Sequence, residues 1–320
     1  MDLHEPITLD EARLAADRVR DVAIRTPLVR LQVEGRTEIH LKLENLQPIG
    51  SFKIRGAANR LLGLDPAQLE SGVWTASAGN MAQGAAWCAR LLGVPFTAVV
   101  PDSAPEAKLS AIRRLGGAIQ TVSREEFFEI FSTRRKDGLD GVFVHAFSDR
   151  DVMAGNATIG LELVQDLPSV AAVYVPYGGG GLSCGIASAV KQLVPEVQVI
   201  ACEPATAAPL AASMAAGSMQ RPAFVPSFVD GAGGPYVYPE MFELAQQLID
   251  RAVAISLDET AAVVRLLADR AHVVAEGAGA LSVAAALHHT GPGPVVCIVS
   301  GGNINMSWLA TILEGATPAV

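Results

Sequence analysis

The sequence is poor in aromatic side chains, lysine, cysteine and positive charge. Aromatics make up 5% of its 320 residues, in a chain that is 50% hydrophobic, so its core must come mainly from aliphatic and small residues. Such residues suit close packing of helices on parallel sheets, and the length allows a large core divided between two lobes. The formal net charge of -9 excludes a nucleic-acid backbone or an anionic membrane as partner, because both need a basic face. The one basic cluster, Arg134-Arg135-Lys136, is offset by Glu125, Glu126 and Asp137 and reads as a solvated helix face. Cysteines occur only at 88, 184, 202 and 297, with no short metal-type pair. They read as reduced thiols, which points to the cytoplasm. The start, Met1-Asp2-Leu3-His4-Glu5-Pro6, lacks the apolar run of a signal peptide, and no stretch of about 18 apolar residues predicts a membrane span. Six histidines show no metal spacing with carboxylates.

What is present is alternation. Short β-rich runs at 38–43, 73–76, 96–100, 118–122, 142–144, 171–176, 197–202, 252–255 and 295–299 are separated by stretches of helical length. Helices are predicted over 9–23, 51–62, 80–92, 104–115 and 124–136. The pattern implies parallel βαβ units with helices on both faces and right-handed crossovers. The stretch 217–239, rich in Gly, Pro and aromatics, reads as a long ordered loop over a site.

Only five of the 24 basic residues are lysines. Lys42 lies in an alternating run that points it to a polar face. Lys108 and Lys191 fall on polar helix faces, and Lys136 sits in the charge cluster. Lys53, in Gly50-Ser51-Phe52-Lys53-Ile54-Arg55-Gly56, falls in the first turn of a predicted helix behind a Pro48–Gly50 turn. The helix dipole and partial burial by Phe52 and Ile54 both lower a lysine pKa, as a Schiff-base lysine requires. Local context alone also admits a surface lysine with its stem laid along apolar neighbours.

Three strand ends carry ligand-type loops. Val173-Tyr174-Val175-Pro176 runs into Gly178, Gly179, Gly180 and Gly181, with Leu182 opening a helix. Consecutive glycines let backbone N–H groups turn around an anion, and a helix N-terminus favours it further. Ser77-Ala78-Gly79-Asn80-Met81 offers N–H donors to a carboxylate, and Ser300-Gly301-Gly302-Asn303 follows another strand. The glycine loop also admits a dinucleotide-binding oxidoreductase, because Glu203 ends the next strand about twenty residues on, where such folds place an acidic residue.

Five segments in order, KLENLQPIGSFKIRGA, SAGNMAQGAA, PYGGGGLSCG, EGAGAL and VSGGN, resemble the serine/threonine dehydratase family of fold-type II pyridoxal-phosphate enzymes. The resemblance covers nearly the whole chain. It implies two open parallel-sheet α/β domains, a larger one from 1–44 and 149–320 and a smaller one inserted at 45–148, and pyridoxal 5'-phosphate as cofactor. It implies that Lys53 bonds covalently to the cofactor and later moves the Cα proton. Phe52 would pack near the ring, Asn80 would bind its phenolic oxygen, and Ser300 would bind its nitrogen. Gly178 to Gly181 with Leu182 would hold the phosphate, and Glu276 would lie near the ring edge. Ser77, Ala78, Gly79, Asn80 and Met81 would receive the substrate carboxylate. The reaction implied is β-elimination from L-threonine or L-serine to a 2-oxo acid and ammonia, by a homodimer.

Three departures qualify that picture. Ala78 and Met81 stand where the family usually has serine and histidine; the missing hydroxyl serves racemases as a second proton donor. Glu203 and Ala207 fit the family's metal site, but Pro209 replaces its last carboxylate, so no metal is expected there. No C-terminal regulatory domain is expected. Met81 and the loop Gly231-Ala232-Gly233-Gly234 would admit a bulkier substrate such as phenylserine. A non-catalytic amino-acid binding protein on the same fold is the other alternative.

Overall fold

A computed structural model describes residues 3–34 and 38–319. Its strands are β1 (Leu28–Arg30), β2 (Ile39–Lys42), β3 (Val73–Ala76), β4 (Phe96–Pro101), β5 (Ala118–Val122), β6 (Val142–Phe143), β7 (Ala172–Pro176), β8 (Gln198–Pro204), β9 (Arg251–Ile255) and β10 (Val295–Ile298). Its helices are α1 (Leu9–Val19), α2 (Lys53–Leu62), α3 (Asn80–Leu92), α4 (Glu106–Arg114), α5 (Arg124–Thr133), α6 (Arg150–Asp166), α7 (Gly181–Leu193), α8 (Pro209–Ala216), α9 (Pro239–Leu248), α10 (Leu257–Leu266), α11 (Gly277–Ala286) and α12 (Met306–Leu313).

The strands form a six-stranded sheet, ordered β1-β2-β10-β7-β8-β9, and a four-stranded sheet, ordered β5-β4-β3-β6. All pairings are parallel except β1 on β2, an antiparallel edge that the alternation did not anticipate. Along β7, Val173 and Val175 join the apolar core on one face, and Ala172 and Tyr174 join the core on the other. Both faces are therefore covered, as parallel sheets with crossover helices require.

That coverage corrects the reading of Lys42, which is fully buried. Alternation assumed a wet face, but α6 covers it. Lys42 Nζ donates to Glu162 Oε2 at 2.6 Å and to the Thr26 carbonyl at 2.7 Å. The basic cluster is also placed differently. α5 stops at Thr133 because Arg134 takes a left-handed conformation (φ 57°), and Arg134 then donates to Ser148 Oγ at 3.0 Å.

Helices α2, α6 and α7 pack backbone against backbone. A Cβ on Gly155 would lie 2.4 Å from the Arg55 carbonyl oxygen, and one on Gly185 would lie 2.6 Å from that of Met153. Glycine at these contacts lets α6 approach the helix that begins with Lys53 and the helix that begins with Gly181. Among the described residues, no helix is long and apolar enough to cross a membrane. All four cysteines are buried and free.

Candidate active site

Lys53 is the first residue of α2. Its Nζ donates to the Ala146 carbonyl at 2.6 Å and lies 4.9 Å from the centre of the Phe52 ring. Burial lowers its pKa to about 8, against an opposing pull from the Glu276 carboxylate. The other four lysines are ion-paired: Lys42 with Glu162, Lys108 with Asp230, Lys136 with Glu126 and Lys191 with Asp250.

Asn80 opens α3 after the β3 turn. Its Nδ2 donates to Glu276 Oε1 at 2.9 Å, and its Oδ1 accepts from Asn303 Nδ2 at 2.7 Å. The amide is thereby oriented, and its second N–H is left for a ligand. Glu276 stands at the start of α11, where burial and then Asp230 push its carboxyl up to about 7, against Asn80 and Lys108. Ser77 does not cap α3. Gly79 holds that position, with no side-chain cap, and its N–H donates to Ser77 Oγ at 3.2 Å. The Met81 side chain belongs to the core around Ile54 and Ala57, so it gives the site no added room.

Gly178 to Gly181 link β7 to α7, whose first N–H groups have no side-chain cap. Gly180 has φ 91°, a conformation that side chains disfavour. A Cβ on Gly179 would lie 2.2 Å from the Phe147 ring, so glycine is required for that contact. Leu182 is buried in the adjoining core. The loop Gly231–Gly234 is as tight at Gly233. A Cβ on Gly233 would lie 2.4 Å from the Ala207 carbonyl oxygen, so Gly233 serves backbone approach, whereas a Cβ on Gly231 would lie 3.2 Å from Glu276 Oε1.

Ser300, buried, follows β10; its carbonyl accepts from the Phe52 N–H at 3.0 Å, and Gly301 bridges Ser51. Ser51 Oγ is buried without a hydrogen-bond partner. The site thus combines an uncapped helix N-terminus behind four glycines, a buried amine and an orphaned hydroxyl. This set fits a phosphorylated aromatic aldehyde.

The chain matches the family described as "Pyridoxal-phosphate dependent enzyme" over residues 19–301. It belongs to that family. An L-threonine ammonia-lyase of Thermotoga maritima is 39% identical over 315 residues, covering 96% of this chain and 78% of that protein. The processed form of threonine deaminase isoform 2 from Solanum lycopersicum superposes with a TM-score of 0.84 at 32% identity, covering 98% of this chain and 96% of that one. Maize serine racemase superposes with a TM-score of 0.87 at 28% identity, covering 97% and 98%.

Membership of the pyridoxal-phosphate dependent enzymes removes the dinucleotide alternative, and Glu203 explains why the spacing suggested it. Its carboxylate accepts from the N–H groups of Leu210 and Ala211, at 3.0 and 2.8 Å, and so caps α8 from the end of β8. Burial raises its pKa to about 7 despite those bonds. Among the described residues, no group of three or more histidines, cysteines or carboxylates is placed to hold a metal. Sequence reasoning missed the turn from His145 to Ser148. The group that meets Lys53 there is a backbone carbonyl, which no side-chain pattern reports.

The lowered Lys53 pKa has a direct consequence. Only the neutral amine attacks an aldehyde, so capture of the cofactor by cofactor-free protein should rise about tenfold per pH unit and level off above about 8. A rise that continues towards 10.5, the ordinary lysine value, would mean the amine is not buried as described.

Proposed function

We propose that the chain removes the β-hydroxyl of L-threonine or L-serine and releases a 2-oxo acid and ammonia. The observation that carries the reading is the buried Lys53 amine, beside the glycine cradle, in a chain 39% identical to an L-threonine ammonia-lyase. Bound at the site, pyridoxal phosphate supplies an aldehyde for Lys53 and an electron-withdrawing ring that acidifies the substrate's Cα–H.

The residues divide the remaining work. The N–H groups of Gly178 to Gly181 and Leu182 would hold the phosphate. Asn80 would donate its free N–H to the phenolic oxygen, Ser300 would offer the ring nitrogen a neutral hydroxyl, and Phe52 would pack near the ring. Glu276 orients Asn80. The N–H groups of the turn Ser77, Ala78, Gly79, Asn80 and Met81 receive the substrate carboxylate; Met81 contributes through its backbone alone. Lys53 Nζ takes the Cα proton, a transfer that suits a base of pKa near working pH. The smaller lobe is assigned to 45–148 and the larger to 1–44 and 149–320, with a cytoplasmic homodimer as the working form.

The deciding experiment is a panel of 3-hydroxy amino acids assayed for 2-oxo acid and ammonia. Turnover of L-threonine or L-serine supports the reading. No turnover of any member would leave a binding protein. A cavity of about 430 Å³ that includes Glu276, lined by Phe228, Ile304 and Trp308 together with Lys108, Arg114 and Asp230, supports a second reading, in which the β-substituent is larger, as in phenylserine. A kcat/KM that rises with substituent size would select it.

The likeness to a racemase calls for its own test. Inversion at Cα needs a proton donor on each side, and Lys53 serves one. Ala78 has no proton to give and packs against the core around Ile54 and Ala57, and Ser77 Oγ is oriented as an acceptor for the Gly79 N–H. Without a positioned donor, inversion should run slower than elimination by roughly 10²-fold or more. L-Serine incubated in deuterium oxide and followed by chiral chromatography checks this. D-Serine formed as fast as 2-oxo acid would contradict it.

A further inference from the structure

The turn from His145 to Ser148 touches both parts of the site. The Ala146 carbonyl accepts from Lys53 Nζ at 2.6 Å. The next residue, Phe147, lays its ring where a Cβ on Gly179 would stand, and its carbonyl oxygen would lie 2.7 Å from a Cβ on Gly181. Two successive residues thus meet the reactive amine and the glycine cradle.

The near end of the turn is tied by the His145 side chain. His145 is buried, and its Nδ1 accepts from the N–H groups of Ser148 at 2.8 Å and Phe147 at 3.3 Å. Its ring is fixed edge-on by Phe147, Phe131 and Phe143, at centroid distances of 4.5, 5.2 and 5.9 Å. Burial pushes its pKa down to about 3, with Arg134 and Lys53 acting the same way, so Nδ1 stays an acceptor at working pH. The far end of the turn is anchored separately, since Ser148 Oγ donates to Glu240 Oε1 at 2.8 Å and accepts from Arg134.

We propose that His145 is a positioning residue for Lys53: through Nδ1 it ties the turn so that the Ala146 carbonyl holds the lysine amine and the Phe147 ring backs the glycine cradle. The inference rests on the reading of Lys53 given above. As a free amine, Lys53 Nζ sits on a flexible four-carbon stem. A carbonyl 2.6 Å away keeps it oriented for proton transfer and for recapture of the cofactor.

Two variants separate this role from simple packing. His145→Asn keeps an acceptor able to take N–H groups two and three residues on, as in an Asx turn, but loses ring contacts. His145→Leu fills the aromatic pocket but offers no acceptor. The readout is capture of pyridoxal phosphate by folded, cofactor-free protein, trapped with borohydride and located by mass spectrometry. Capture at Lys53 should slow roughly tenfold or more in His145→Leu, with the buried Ser148 N–H and the part-buried Phe147 N–H unpaired, and stay within about threefold in His145→Asn. If the Leu variant does not fold, His145→Phe replaces it with the same expectation. The reverse order, equal loss in both variants, or no loss in either overturns the proposal. Trapping of wild-type protein on a lysine other than Lys53 would instead overturn the reading on which it rests.

Discussion

Lys53→Ala is expected to lose turnover by at least about 10⁴-fold and to lose the covalent cofactor link altogether. Both functions assigned to this residue depend on one nitrogen. The amine attacks the cofactor's aldehyde because burial holds its pKa near 8, and the same atom then takes the Cα proton. No other lysine is placed to substitute. Lys42 is buried on Glu162, Lys136 is paired with Glu126 from the segment after α5, and Lys191 on α7 is paired with Asp250. Lys108 comes nearest, since it lines the cavity that reaches Glu276, but its ammonium sits 2.6 Å from the Asp230 carboxylate. Lys53→Arg separates the contributions. It keeps a positive donor for the Ala146 carbonyl, yet its guanidinium does not lose a proton at working pH. It should retain the fold and some affinity for the cofactor while remaining inactive. The measurements are 2-oxo acid formation and the mass added on borohydride reduction. Wild-type turnover, or an unchanged adduct, in Lys53→Ala would remove Lys53 from the mechanism.

The readable parts of this protein were those that depend on local backbone chemistry. Gly178 to Gly181 declare a loop that only glycines can form, and the structure shows the reason at Gly179 and Gly180. The start of α3 at Asn80 also followed from the local pattern, and α2 begins two residues after the expected 51, at Lys53. Long-range contacts were not readable. Lys42 looked exposed because alternation was taken to mean one wet face, whereas α6 covers it and supplies Glu162 from 120 residues away. Met81 lies in the turn assigned to the substrate carboxylate, but its side chain lies in the core, which the sequence did not report. Edge strand β1 spans only three residues, too few for a periodic signal. Asn80, Glu276 and Asn303 come from well-separated segments, and their amide-to-carboxylate chain appears only once the lobes are packed.

Arg55→Leu is expected to cost the folded protein about 3–5 kcal/mol, the range for removing one partner from a buried ion pair. Arg55 is buried two residues beyond Lys53. Its Nε and one terminal nitrogen grip both Glu44 oxygens at 2.8 and 2.9 Å, and it reaches both Glu162 oxygens at 2.7 and 2.9 Å. Lys42 and Thr26 complete the cluster from β2 and the segment before it. Two cations therefore face two carboxylates within a closed set of hydrogen bonds. Burial by itself would raise the Glu44 carboxyl, but Arg55, Thr26 and Lys42 outweigh it and hold the pKa below the usual value. Glu44 thus stays charged in the folded state, and a leucine at 55 would leave that charge facing apolar groups. The sign of the pH dependence follows. A carboxyl with a depressed folded pKa stabilises above its unfolded value of about 4.5 and loses that contribution as pH falls through the folded value. The deficit of Arg55→Leu should therefore be full at pH 7 and shrink on acidification. Arg13→Leu is the control. Its partner Asp10 is almost fully exposed, and such pairs contribute about 0–1 kcal/mol. Urea denaturation of both variants at pH 7 and pH 4 makes the comparison. An Arg55→Leu loss no larger than that of Arg13→Leu, or a deficit that grows on acidification, would show that the cluster does not anchor the helix that carries Lys53.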